Sequence, residues 1–158
     1  MVVGEGAART TAVCAPLAVT LEVASRADDR LAPVIDGWPR GPLPPALVSG
    51  GRAWWLVQLA SEDALRALAP DMAAVGALAA RTDSTGVAAF AFCAAAACAP
   101  HDVAVRAFVG AVAPPFEDAA SGAANAVLAA WLNQRCAWRA RGGVCVCMCA
   151  CVCVCGGM

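Results

Sequence analysis

From Ala123 to Leu132 only Asn125 is polar, and the next charge along the chain is Arg135. A helix apolar all round has no solvated face and has to be enclosed. The rest of the chain is therefore best read as material that surrounds this segment. Its lead-in is Pro114-Pro115-Phe116-Glu117-Asp118-Ala119-Ala120-Ser121-Gly122. Two carboxylates follow a Pro-Pro turn, and a small-residue turn precedes the helix. Asp118 is placed to act as its N-cap, accepting N–H groups of the first turn. A buried helix opening on small residues presents unpaired N–H groups and the positive end of its dipole, which suits a carboxylate ligand. A core helix with an ordinary acidic cap would read the same way, so the residues alone leave both readings open.

The enclosing elements are legible as alternations and caps. Leu17, Val19, Leu21 and Val23 alternate with smaller or polar residues, which predicts a half-buried strand. Six prolines or glycines between Asp36 and Pro45 predict a long surface loop across residues 25–50. Ala53–Ala60, aromatic-rich and bounded by Gly50-Gly51 and Ser61, predicts a second strand. Ser61 should cap a short helix with Glu62 and Asp63 in its first turn; Pro70-Asp71 should end it and start another, through about Ala80. Gly86–Cys93 and Asp102–Phe108 complete the strands. The predicted fold class is α+β: one lobe with an antiparallel sheet wrapped around the buried helix. Residues 17–133 form that lobe, 1–16 carry no readable pattern, and 134–158 form a low-complexity tail.

A chain of 158 residues that is 61% hydrophobic has ample material for one core. A net charge of −1 without a basic stripe excludes a nucleic-acid footprint. All 11 basic residues are arginine and tyrosine is absent, a skew that follows GC-rich codons rather than function. An early acidic residue, Glu5, and the lack of a compact apolar run argue against a signal peptide. With no convincing membrane span either, the expectation is a cytoplasmic chain.

The runs Val105-Arg106-Ala107-Phe108 and Pro114-Pro115-Phe116-Glu117-Asp118-Ala119-Ala120-Ser121-Gly122-Ala123-Ala124-Asn125 resemble the C-terminal-lobe pattern of the PhzF-like phenazine-biosynthesis family. That pattern is approximately V-x-R-x-F-x-P…E-D-P-A-T-G-S-A-N, leading into an Ala-rich helix. Trp54 to Leu59 and Ala64 to Met72 resemble the strand and helix that precede it, so the resemblance is clearest over 47–132. It implies a diaminopimelate-epimerase-like fold of two lobes, each a sheet curled around a central helix, with the site between them. It also implies a cofactor-free isomerisation in which a proton moves between carbons of a small cyclic carboxylate. Asp118 then matches the aspartate that holds substrate and its transferred proton. Ser121, Gly122 and Ala123 match the turn whose amides face the substrate. A homodimer or a complementary lobe is the implied protein partner, and no cofactor is implied.

The sequence departs from the pattern in three ways. Ala119 replaces Pro, and Ala123 replaces Ser, which removes a hydroxyl contact worth about 1.5–3 kcal/mol to a charged ligand. The glutamate that serves as general acid/base, and its Gly-His turn, have no match: Glu5, Glu22 and Glu62 lie in other contexts, and the single histidine, His101, follows Pro100. Losing such a base costs about 10²–10⁴ in rate, so the glutamate is the decisive gap. Related epimerases use two thiols, but no cysteine falls within 117–125. Cys14, Cys93, Cys98 and Cys136 show no partner spacing, and Cys93 and Cys98 read as buried free thiols.

From Val144 to Cys155 cysteine alternates with small apolar residues. Neighbouring thiolates can bridge soft metals, yet no lysine balances them. A TG dinucleotide repeat would encode Val-Cys-Val-Cys, and the tail reads as translated microsatellite able to pair with a sheet edge or aggregate. Three functions follow: a PhzF-like isomerase lobe incomplete by itself, a non-catalytic remnant that binds a small carboxylate or a partner lobe, and a soft-metal-binding tail on an incidental scaffold.

Overall fold

The computed structural model describes residues 17–25, 28–93 and 103–134. Six strands form one sheet in chain order: β1 Val19–Val23, β2 Ala46–Ser49, β3 Ala53–Gln58, β4 Gly86–Phe92, β5 Val103–Val109 and β6 Phe116–Asp118. Four helices accompany them: α1 Ala32–Ile35, α2 Glu62–Arg66, α3 Met72–Thr82 and α4 Gly122–Gln134. The class is α+β, as the sequence indicated. Neighbouring strands run antiparallel except β3 and β4, which are parallel because α2 and α3 cross over between them.

Both faces of the sheet are covered, by different helices. Trp54, Leu56, Ala88 and Phe90 pack with Val127, Leu128, Trp131 and Leu132 of α4. Trp55, Val57, Val87 and Ala89 pack on the other side with Val34, Leu65, Val75 and Leu78 of α1, α2 and α3. A strand buried on both sides reads as a continuous apolar run, which is why β3 and β4 carry almost no polar residue. Close approach of β4 to β5 demands Gly86: its φ is 154°, and a Cβ there would lie 2.0 Å from the Phe108 carbonyl oxygen.

The caps formed where the sequence put them. Ser61 Oγ accepts the Ala64 amide at 3.1 Å, and Asp71 Oδ1 accepts those of Ala73 and Ala74 at 2.9 and 3.2 Å. Cys93 is buried, and its thiol donates to Glu62 Oε2 at 3.1 Å.

Five expectations need correction. The sheet is mixed rather than wholly antiparallel, because the α2–α3 crossover makes β3 and β4 parallel. The predicted 25–50 loop contains α1 and β2. Pro33 sits in the first turn of α1, where its missing N–H costs nothing, and β2 is short but wholly apolar apart from Ser49. The alternation at 17–23 gives a strand, yet Leu17, Val19, Leu21 and Val23 are 85, 56, 56 and 48% exposed. A bulge between Thr20 and Glu22 breaks its phase. Val19 pairs with Ser49 and Val23 with Ala46, residues on opposite faces, and Ala18 and Ala24 fill the two cores instead. Residues 116–118, read as helix lead-in, form the edge strand β6. Finally, α4 is not enclosed all round. Ala124, Val127, Leu128, Trp131 and Leu132 are buried, while Ala126, Ala129 and Ala130 are half-buried and Ala123 is exposed.

No helix among the described residues is long and apolar enough to cross a membrane. His101, Cys14, Cys98, Cys136, Glu5 and the 144–155 repeat lie outside the described residues.

Candidate functional site

The pleat of β6 sends Glu117 and Asp118 to opposite faces of the sheet. Glu117 pairs with Phe108, which belongs to the core beneath α1–α3, and Asp118 pairs with Ala107, which belongs to the core beneath α4. Two carboxylates adjacent in sequence therefore do different things.

Glu117 is committed to structure. Arg106 of β5 donates from Nε to Oε1 and from Nη2 to Oε2, each at 2.8 Å. Its remaining nitrogen, Nη1, donates to the carbonyls of Leu68 at 2.8 Å and Leu65 at 3.0 Å. The guanidinium carbon also lies 5.0 Å from the centre of the Phe108 ring. One arginine thus binds β5, β6 and the C-terminus of α2, where cations are favoured by the unpaired carbonyls. Arg106 stands within the run quoted above, where the resemblance gives it no role of its own. An arginine in an apolar strand, one hairpin away from a Glu-Asp pair, was the available signal.

Asp118 is half-buried, and its Oδ1 accepts the Ala120 amide at 3.2 Å. This bends the chain in the manner of an Asx turn. It is the only hydrogen bond of that carboxylate among the described residues. Asp118 is not the N-cap expected from the sequence, because the strand ends on it and two turn residues intervene before α4. Ser121 holds the N-cap place: buried, its Oγ accepts the Ala124 amide at 3.4 Å and its carbonyl accepts the Asn125 amide at 3.1 Å. Asn125, the lone polar residue of the run, has its Oδ1 buried without a partner among the described residues.

Gly122 and Ala123 follow, both exposed, and their amides make no hydrogen bond among the described residues. A Cβ at Gly122 would meet nothing within 4 Å. Space does not dictate glycine there. Asp118, at the end of β6, and Ser121, Gly122 and Ala123, at the start of α4, therefore flank one helix entrance.

No described glutamate is free to act as a base. Glu22 is paired with Arg30, Glu62 with Arg66 and Glu117 with Arg106. Among the described residues no three His, Cys, Asp or Glu side chains gather as a metal site would require.

Sheet, central helix and acidic entrance define an α+β lobe whose helix start faces outward. The family model described as "Phenazine biosynthesis-like protein" (PhzC-PhzF) matches residues 2–144, and the chain belongs to that family. No match to a curated protein was found. The family match extends on both sides of 47–132, where the motif resemblance is clearest, and includes every residue of the entrance.

Proposed function

We propose that the entrance from Asp118 to Ala123 is the substrate-facing wall of a cofactor-independent isomerase or epimerase that moves a proton on a small carboxylate. The observation that carries this reading is the pair of amides at Gly122 and Ala123 that make no hydrogen bond among the described residues, at the start of a 13-residue helix separated from Asp118 by three residues. Two N–H groups can hold one carboxylate, and the helix dipole adds about 0.3–1 kcal/mol to an anion at that end. Asp118 is an acceptor next to these donors, so it can bind an N–H, O–H or acidic C–H edge of the same molecule. Ser121 keeps the turn in shape from beneath.

The base that removes the proton is not supplied by this wall. On this reading it belongs to a complementary lobe, or to a second copy arranged across the cleft, in the cytoplasm. The chain alone binds but does not turn over. A non-catalytic carboxylate-binding lobe is the second reading, and the pairing of Glu22, Glu62 and Glu117 with arginines favours it.

Titrating the ¹⁵N-labelled chain with benzoate tests the wall: the Gly122 and Ala123 amide resonances should shift and saturate, and unchanged resonances would sink the proposal. Incubation with a panel of small cyclic carboxylic acids in heavy water tests the chemistry. No carbon-bound proton should exchange. Exchange that Asp118→Asn abolishes would show that this chain is catalytic by itself.

A further inference from the structure

The two edges of the sheet are protected unequally. β6 is three residues long, carries Glu117 and Asp118, and follows Pro114-Pro115, all devices that discourage pairing with another strand. β1 has a bulge but no proline, and its one charge, Glu22, is taken up by Arg30. It instead displays Leu17, Val19, Leu21 and Val23, four of the six large hydrophobic residues found exposed among the described residues. The bulge divides these side chains between the two faces of an edge that pairs only with β2 among the described residues, so a strand added there would cover apolar groups on both faces.

The course of the chain indicates what covers it. Gln134, the last residue of α4, donates from Nε2 to the Ala18 carbonyl at 2.7 Å, so α4 ends beside the start of β1. Residues 135–158 continue from that point, and nothing after Arg141 is charged. β1 is about 17 Å long at the usual rise of a strand, and residues 135–143 could span about 30 Å if extended. The Val/Cys repeat is thus within easy reach of the whole edge. A segment tethered this closely acts at an effective concentration of roughly millimolar, well above that of a second copy in dilute solution.

We propose that the free edge and exposed apolar side chains of β1 are the docking surface for this chain's own C-terminal repeat, residues 144–155. The repeat is then an intramolecular cover.

Amide hydrogen exchange of the full chain in reducing buffer tests this, compared with the full-length variant Val146→Asp/Val152→Asp. Amides of residues 19–23 should exchange slowly in the parent and about tenfold or more faster in the variant, at every protein concentration. Equal exchange in the two proteins would overturn the proposal. Protection that grows with protein concentration would also overturn it, by making a second copy the occupant. A second measurement uses Leu21→Cys in the full chain under mild oxidation. Its new thiol should form an intramolecular disulfide with a cysteine of 145–155, whereas a purely intermolecular cross-link between two copies of the new thiol contradicts the proposal.

Discussion

α3 and α4 begin in opposite ways. Asp71 closes the first turn of α3 by accepting two amides, and α3 ends at Asp83, whose left-handed backbone (φ 49°) returns its N–H to the Ala79 carbonyl. Both ends are secured, and the helix buries Val75, Leu78 and Ala79. Among the described residues α4 has only the long Ser121 side-chain contact at its start, and the amides of Gly122 and Ala123 have no hydrogen bond. It buries five residues instead, Trp131 among them. A helix held by packing can leave its first donors unspent, so they remain available to a ligand. A helix that relies on its caps cannot.

That contrast breaks most visibly at the packing of α4. Trp131→Ala should cost about 3–5 kcal/mol in urea unfolding under reducing conditions, since an almost fully buried indole leaves a cavity. A loss below about 1 kcal/mol would mean that packing does not hold the helix. Arg106→Gln should cost about 2 kcal/mol, because it strands Glu117 and frees carbonyls at the end of α2. Arg106→Lys should recover little of this, as an ammonium cannot reproduce the two-pronged contact. Amide exchange in β6 reports whether the Asp118 strand loosens with it. The caps come next: Asp71→Ala should cost about 1 kcal/mol and Ser121→Ala only a few tenths. The reverse order would show that α4 is cap-dependent after all.

The sequence announced what rests on local chemistry. Ser61 and Asp71 are caps because serine and aspartate before an apolar run satisfy backbone donors wherever they occur, and β3, β4 and β5 are legible as largely apolar strands bounded by glycines, serines and turns. What it concealed depends on pairing across the chain. The phase of β1 is set by a bulge against β2, so a clean alternation at 17–23 ended with its large residues in solvent. β2 and α1 were hidden by the density of proline and glycine around them. β6 is a strand because β5 lies beside it, and three residues carry no periodicity to read. At the entrance, Asp118, Ser121, Gly122 and Ala123 were picked out together by resemblance. The division of labour between Glu117 and Asp118 follows from the pleat and from Arg106, neither of which a pair of adjacent acidic letters reveals.

α1 supplies a third case, and an effect confined to low pH. It has four residues, and Leu31 at its N-cap place offers no side-chain hydrogen bond. Asp28 fastens its approach instead: the carboxylate accepts the Arg30 amide at 2.9 Å and Arg30 Nε at 3.0 Å, while its carbonyl accepts the Leu31 and Ala32 amides. The hydrogen bonds from Arg30 hold the Asp28 carboxyl below its ordinary range, against the opposing pull of burial. A depressed folded-state value means that the contribution is complete above the ordinary carboxylate range and disappears as pH falls through the depressed one. Because the Arg30 side chain is 40% exposed, solvent and salt screen the tie to about 1 kcal/mol or less. The parent should therefore lose stability more steeply than Asp28→Asn below about pH 4, and the difference should shrink in high salt. Identical acid limbs would assign α1 to packing at Val34 and Ile35 alone, placing it with α4 rather than α3.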